Sequence, residues 1–348
     1  MKSNIDSLIE IVKNNPEDFE ALKKLAELSA LENNFDVSLE CYEKLSEKYP
    51  GNISYLINMG SIYFYKQEFQ KAVVQYKKVL EIDNKNFSAL YNLGNVYGEL
   101  HNFDVALSYY DRALLINDKS PELYVAIGIL YQDKNNLFLA KENFEHALKL
   151  DPKNGENYIN IANIYQKIGH HKKALEYYKH ALKYIPDDPK VWLCLGTSNS
   201  CLKNYKDAHK CFDKAIELDP NYYSAYVCEA ISCMDEKNYE KSIALFKRAI
   251  EIDPTRHNAY LLLGNLMLNE KMYKEAIDLY KKSADLTENK AKSYFFIANT
   301  YVILENLESA IEYYRKSIEI DPDDKEVMLI YVELLDEYIR GKIKHDEF

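Results

Sequence analysis

The sequence predicts an all-α fold, an α-solenoid of antiparallel helix pairs, and three observations predict it. Seven of the nine prolines, Pro16, Pro50, Pro152, Pro186, Pro220, Pro254 and Pro322, stand multiples of 34 residues apart. Two helically spaced sets of apolar residues recur within every such interval. Two positions per interval are always small, as a close crossing of two helices requires. Asn84, Asp118 and Glu288 fill the vacant sites of the proline lattice with residues that a helix end or turn accepts.

Counted from a residue 31 positions before each lattice site, nine gapless repeats start at Phe19, Ile53, Phe87, Pro121, Gly155, Pro189, Tyr223, His257 and Ala291, and the ninth ends at Asp324. Residues 1–18 read as an N-terminal half-repeat helix, with Leu8, Ile11 and Pro16 on the same lattice. Residues 325–340 read as a C-terminal capping helix, apolar at Val327, Met328, Tyr331, Leu334, Leu335 and Tyr338. Its other face carries Glu326, Glu333, Asp336, Glu337 and Arg340, as the end of a repeat array requires. Residues 341–348 are expected to be a frayed tail.

Within each repeat the eighth position is Ala or Gly and the twentieth Ala or Ser. The fourth is large, as in Tyr124, Tyr158, Trp192, Tyr226, Tyr260 and Tyr294, and the twenty-fourth is always aromatic, from Tyr42 and Tyr76 to Tyr280 and Tyr314. Positions 4, 7, 8 and 11 define one amphipathic helix and positions 17, 20, 24 and 27 a second. The small residues let the two helices cross closely, and the aromatic residues fill the space beside the crossing. Proline at position 32 cannot donate a backbone N–H, so it ends the second helix and sets the turn.

Together, the 34-residue period, the small residues at positions 8, 20 and mostly 27, the large ones at 4, 11 and 24, and the closing proline resemble the tetratricopeptide repeat (TPR). The resemblance covers residues 19–324. It implies a right-handed TPR superhelix of about twenty helices in one continuous array, with the first helix of each repeat lining a concave groove.

Composition narrows the functional classes. The 348 residues are 47% hydrophobic and 28% charged, which excludes collagen-like and disordered chains. With 44 Lys and Arg against 55 Asp and Glu, the net charge is −11 and no basic stripe stands out, so nucleic-acid binding is not expected. Six cysteines at irregular spacing suit the reduced thiols of a cytoplasmic protein, and the N-terminal stretch lacks the apolar core of a signal peptide. No apolar run approaches the roughly 18 residues of a membrane span.

No catalytic constellation emerges, so an enzyme is not expected. The phosphate-loop, dinucleotide, H-E-x-x-H and G-x-S-x-G motifs are all missing from the sequence. His170 and His171 fall at the turn between two helices and read as a solvated turn. Cys194, Cys201 and Cys228 fall on adjacent first helices, with Cys233 a turn further on, yet without C-x-x-C pairing they read as small apolar thiols. Neither metal nor cofactor is expected.

What remains is the groove, which the resemblance assigns to positions 2, 5, 6, 9, 12 and 13. The first half of the chain offers amides there: Asn58, Asn92 and Asn160 at position 6, Asn95 and Asn163 at position 9. Asn265 and Asn299 repeat the amide at position 9 further on. Asparagine carries both donor and acceptor, so a row of them can grip the main chain of an extended peptide. Such a row is similar to the asparagine ladder of the O-GlcNAc transferase superhelix, interrupted here at Ala126. An equally open reading makes these residues part of the scaffold.

The second half is apolar at positions 5 and 6: Leu193 and Cys194, Val227 and Cys228, Leu261 and Leu262, Phe295 and Phe296. Met234, Leu268, Val302 and Ile303 continue the stripe. Exposed, it would mark a surface for an amphipathic helix or hydrophobic peptide, and we expect it to hold the main ligand. Coiled tightly, it would pack on itself.

A clamp for a chaperone's terminal carboxylate, known from the TPR family, needs Lys at position 5 and Asn at position 9. Here position 5 is basic only at Lys23, whose repeat has Glu27 at position 9. One apolar position breaks the pattern, with Glu229 at position 7 of the seventh repeat; a buried carboxylate needs a partner, and Asn199 is the candidate. The expected function is a non-enzymatic scaffold that holds a protein or peptide in its groove. The alternative is a structural scaffold that self-assembles by docking its apolar C-terminal groove onto another copy, with weak self-association as its sign.

Overall fold

In the computed structural model the backbone is described for residues 2–346 and the side chains for residues 5–340. The described residues form helices joined by turns, without strands. In chain order these are α1 (Lys2–Asn14), α2 (Phe19–Leu31), α3 (Phe35–Lys48), α4 (Ile53–Tyr65), α5 (Phe69–Ile82), α6 (Phe87–Glu99), α7 (Phe103–Leu114), α8 (Pro121–Asp133), α9 (Leu137–Leu150) and α10 (Gly155–Lys167). There follow α11 (His171–Ala181), α12 (Pro189–Cys201), α13 (Tyr205–Leu218), α14 (Tyr223–Asp235), α15 (Tyr239–Ile252), α16 (His257–Asn269), α17 (Tyr273–Asp285), α18 (Ala291–Ile303), α19 (Leu307–Ile320) and α20 (Lys325–Asp346). The nine even-numbered helices from α2 to α18 begin at the residues predicted for the nine repeats. The capping helix α20 continues past the expected Arg340 to Asp346, so the backbone of the supposed tail is helical as far as it is described.

The chain divides into two compact units, residues 1–164 and 165–348, with the boundary inside α10. In the N-terminal unit α2 packs on α3, α4 on α5, α6 on α7 and α8 on α9, and the first helices α4, α6 and α8 also touch in sequence. In the C-terminal unit α12 pairs with α13, α14 with α15, α16 with α17 and α18 with α19, while α20 covers α19.

Each pair is closed by the same turn. Position 15 is left-handed in all nine repeats: Asn33, Gln67, His101, Asn135, Lys203, Lys237, Lys271 and Glu305 have φ between 55° and 65°, and Gly169 has φ 77°. The N–H of position 16 donates to the carbonyl of position 11 over 2.7–2.9 Å, as from Asn34 to Ser29 and from His170 to Tyr165. The N–H of position 15 donates to the carbonyl of position 12. This pair of bonds is a Schellman C-cap, which satisfies helix-end carbonyls at the cost of one left-handed residue.

The crossing of each pair is as tight as the small residues imply. A Cβ added at Gly60, Gly94, Gly128, Gly196 or Gly264 would lie 2.2–2.6 Å from the aromatic ring at position 24 of its own repeat. Where position 20 is serine, its hydroxyl donates to the carbonyl of position 8: Ser38 to Ala26 over 2.7 Å, Ser242 to Ala230 over 2.8 Å. Successive repeats are tied by the aromatic at position 4. Tyr158, Trp192, Tyr226 and Tyr260 donate to the carbonyls of Pro152, Pro186, Pro220 and Pro254 over 2.8–3.3 Å. The lattice proline, unable to donate, thus still accepts.

Candidate binding groove

The first helices of the N-terminal unit carry a row of connected clefts. One, of about 710 Å³, lies between α2 and α4 and is lined by Glu27, Phe35, Tyr42, Asn58, Ser61 and Tyr65, among others. A second, of about 280 Å³, lies over α4 and α6 and shares Ser61 and Tyr65 with the first; Tyr76, Tyr91, Asn92 and Asn95 complete it. The third, of about 470 Å³, shares Phe64, Tyr91 and Asn95 with the second and reaches over α8 to Asn154 and Asn157. The shared walls make one trough along the unit.

Its amides are held in defined states. Tyr42 and Tyr110, buried at position 24, reach the trough with their hydroxyls. Asn58 Nδ2 donates to Tyr42 Oη over 2.9 Å, which leaves its Oδ1 as the acceptor it presents. Tyr110 Oη donates to Asn95 Oδ1 over 2.6 Å, so Asn95 keeps its NH₂ for the cleft. Tyr76 and Ser61 hydroxyls lie 3.1 Å apart. Burial pushes the Tyr76 hydroxyl up to about 12 and raises Tyr110 as well, so both stay neutral at physiological pH. Asn92 is half-buried and lines the second cleft.

Sequence reasoning missed one amide. Asn157, at position 3 of the fifth repeat, lines the far end of the trough, is 1% exposed, and its Nδ2 has no hydrogen-bond partner. A buried, unpaired donor costs about 1–3 kcal/mol, which an incoming acceptor would recover. Its position lies off the helix face the family resemblance assigns to the groove. The rim is acidic: Glu99, Glu122, Asp133 and Glu156 are exposed around the third cleft, with His101 beside them. Asn160 and Asn163 stand half-buried on α10.

In the C-terminal unit the position-9 amides make the same bond as Asn95. Tyr280 Oη donates to Asn265 Oδ1 over 2.8 Å, and Tyr314 Oη donates to Asn299 Oδ1. The apolar stripe is partly drawn inward, which corrects the expectation of an open surface. Leu261 is 7% exposed and belongs to the core around Tyr280. Val227, Leu262 and Phe296 pack against that core, Phe296 stacked on Tyr280 with centroids 5.4 Å apart. Phe295 sits edge-on to Tyr314 at 6.2 Å, and Leu193 is half-buried. Ile303, at 52% exposed, is the member that stands in solvent. The aromatic residues at position 24 cover what the pattern alone leaves bare, Tyr314 within its own repeat and Tyr280 also in the next one.

Glu229 is buried as expected, but its partner is different. Lys241 Nζ donates to Glu229 Oε1 over 2.5 Å, and His209 Nδ1 lies 3.5 Å from the same oxygen. Asn199 instead donates to the Leu195 carbonyl over 3.1 Å in its own helix. Burial is the largest effect and works against the Lys241 charge, yet the hydrogen bond to Glu229 and the attraction of Glu229 and its neighbours together outweigh it and raise the pKa. Positions 8 and 20 cross at an offset of 12 residues, as in the serine bonds above. Lys241 lies 12 residues after Glu229, so that offset was the signal for the pair.

Among the described residues no helix is long and apolar enough to cross a membrane. Sequence profiles described as tetratricopeptide or TPR repeats match residues 60–100, 87–120, 121–154, 139–195, 189–222, 234–291 and 291–324. None of the curated proteins matches the chain. Among solved structures, the Cut9–Hcn1 hetero-tetramer of APC/C superposes with a TM-score of 0.54 at 20% identity, over 86% of this chain and 59% of that one. A tetratricopeptide repeat protein from Parabacteroides merdae gives 0.54 at 20% identity, over 72% and 98% of the two chains. PilW, a type IV pilus biogenesis factor, gives 0.53 at 23%, over 60% and 97%. At such identities the likeness speaks for the fold alone, and the fold is in general a non-catalytic one for protein interaction. On the period, the paired helices and the profile matches, the chain belongs to the tetratricopeptide repeat family.

Proposed function

We propose that the protein is a scaffold that binds an extended peptide segment in the trough of its N-terminal unit, and that the segment carries Lys or Arg. The observation that carries this reading is the continuous run of Asn58, Asn92, Asn95 and Asn157 along one set of clefts. An extended chain presents a carbonyl and an N–H at each residue, so amides with one committed end can alternate as donor and acceptor against it. Tyr65 and Tyr91 supply flat apolar surface for side chains between those contacts. The exposed carboxylates of Glu99, Glu122, Asp133 and Glu156 favour cationic side chains and speed their approach at low salt.

Panning a random peptide library on the full chain tests this. Enriched sequences should contain Lys or Arg, and affinity should fall as salt rises. An Asn92→Ala/Asn157→Ala variant that folds normally should lose most of the selected set. Enrichment of acidic peptides, or an unchanged set on the double variant, would contradict the proposal.

A further inference from the structure

The polar cluster around Glu229 contains more than an ion pair. Cys233, one helical turn after Glu229 on α14, is fully buried. His209 comes from the facing helix α13. One ligand-type atom from each of His209, Glu229 and Cys233 lies within 4.8 Å of the other two.

The hydrogen bonding of His209 is the second observation. Its Nε2 lies 3.1 Å from the Glu236 carboxylate, which can only accept, so Nε2 carries the proton. In the neutral ring Nδ1 is then a bare lone pair. It is buried, has no hydrogen-bond partner, and faces Glu229 Oε1 at 3.5 Å. Two acceptors thus face each other in a buried site where Lys241 satisfies Glu229 alone, and a cation bound between them would satisfy both. A carboxylate behind the ligating imidazole is the support that metal-binding histidines have.

We propose that His209 Nδ1, Glu229 and the Cys233 sulfur bind a zinc-type divalent cation, with Glu236 orienting the imidazole. One nitrogen, one oxygen and one sulfur ligand suit Zn²⁺, and three protein ligands leave a fourth position for water. Tetrahedral bonds of the usual lengths place such ligands about 3.3–3.7 Å apart, so the side chains need to close by roughly 1 Å. Lys241 Nζ must leave Glu229, and its side chain, 42% exposed, can swing outward. Binding breaks the Cys233 S–H bond and releases that proton to solvent, the sulfur entering as thiolate.

The test is titration of the reduced full chain with Co²⁺ alone, followed by competition with Zn²⁺. The expected result is one equivalent bound, with the near-ultraviolet charge-transfer band of a thiolate–cobalt bond that Zn²⁺ removes. Cys233→Ala should abolish the band, and Glu236→Gln should weaken binding by about 10–100-fold. His209→Gln, at a partly exposed site on a different helix, should also abolish it and guards against a folding defect in the cysteine variant. A triple variant Cys194→Ser/Cys201→Ser/Cys228→Ser should keep the band. No band in the wild type, or a band that survives His209→Gln or vanishes in the triple variant, overturns the proposal.

Discussion

Replacing Gly94 by Ala tests whether the helix crossing is as tight as described. The new methyl would lie 2.2, 2.4 and 2.8 Å from Cε1, Cδ1 and Cζ of Tyr110. Ordinary contact begins near 3.4 Å, so the ring has to retreat by about 1 Å. Tyr110 is 2% exposed, and its retreat also pulls its hydroxyl from Asn95. Overpacking of this kind costs about 1–3 kcal/mol. A strained or lost hydrogen bond adds about 0.5–1.5 kcal/mol. Against these, alanine gains about 1 kcal/mol over glycine inside a helix. The net expectation is destabilisation by about 2 kcal/mol, centred on the third repeat. Urea unfolding followed by circular dichroism should show a lower midpoint, and hydrogen exchange should place the loss in α6 and α7. A midpoint equal to or above wild type would refute the reasoning. The outcome is not foregone, since Ala26, Ala162, Ala230 and Ala298 occupy the same position in other repeats.

The remaining predictions concern the turn and the thiols. Lys203 holds a left-handed backbone at φ 61°, so Lys203→Gly should stabilise by a few tenths to about 1 kcal/mol, read as a higher urea midpoint. Gly169→Ala should do the opposite at φ 77°. Burial pushes the Cys41 and Cys211 thiols up to about 11, whereas Cys201 is exposed. At pH 8 Cys201 should therefore alkylate first, with Cys41 and Cys211 reacting only on unfolding. Both thiols, and Tyr76 at about 12, are raised above their unfolded values of 9.0 and 10.0. The stability they contribute is fully present below pH 9 and is lost as pH climbs through 11–12, measurable as an alkaline fall in melting temperature.

Much of this was legible in the linear sequence because the repeat multiplies weak signals. A small residue at position 8 means little once, but nine times at the same offset it fixes a helix crossing. The start of every first helix follows from that register. The left-handed turn was not legible, because eight of its nine residues are not glycine and the conformation is imposed by the packed helices on either side. The groove was half legible. Asn58, Asn92 and Asn95 line clefts as the pattern suggests, but residue spacing alone does not show that Asn95, Asn265 and Asn299 each accept the hydroxyl of a buried tyrosine. Leu261 and Phe296 show the same limit for apolar residues, since a neighbouring ring at position 24 decides whether position 5 or 6 meets water. For Glu229, reasoning between neighbouring first helices pointed to Asn199, while the second helices α13 and α15 bring His209 and Lys241 instead.

The most direct measurement of the central claim is the side-chain amide spectrum of the full chain with isotope-labelled asparagine, recorded as a library-selected basic peptide is added. The account predicts that the NH₂ signals of Asn92, Asn95 and Asn157 move in step with binding, while those of Asn265 and Asn299 stay in place. Shifts confined to the C-terminal unit, with the trough amides unmoved by a bound peptide, would contradict it.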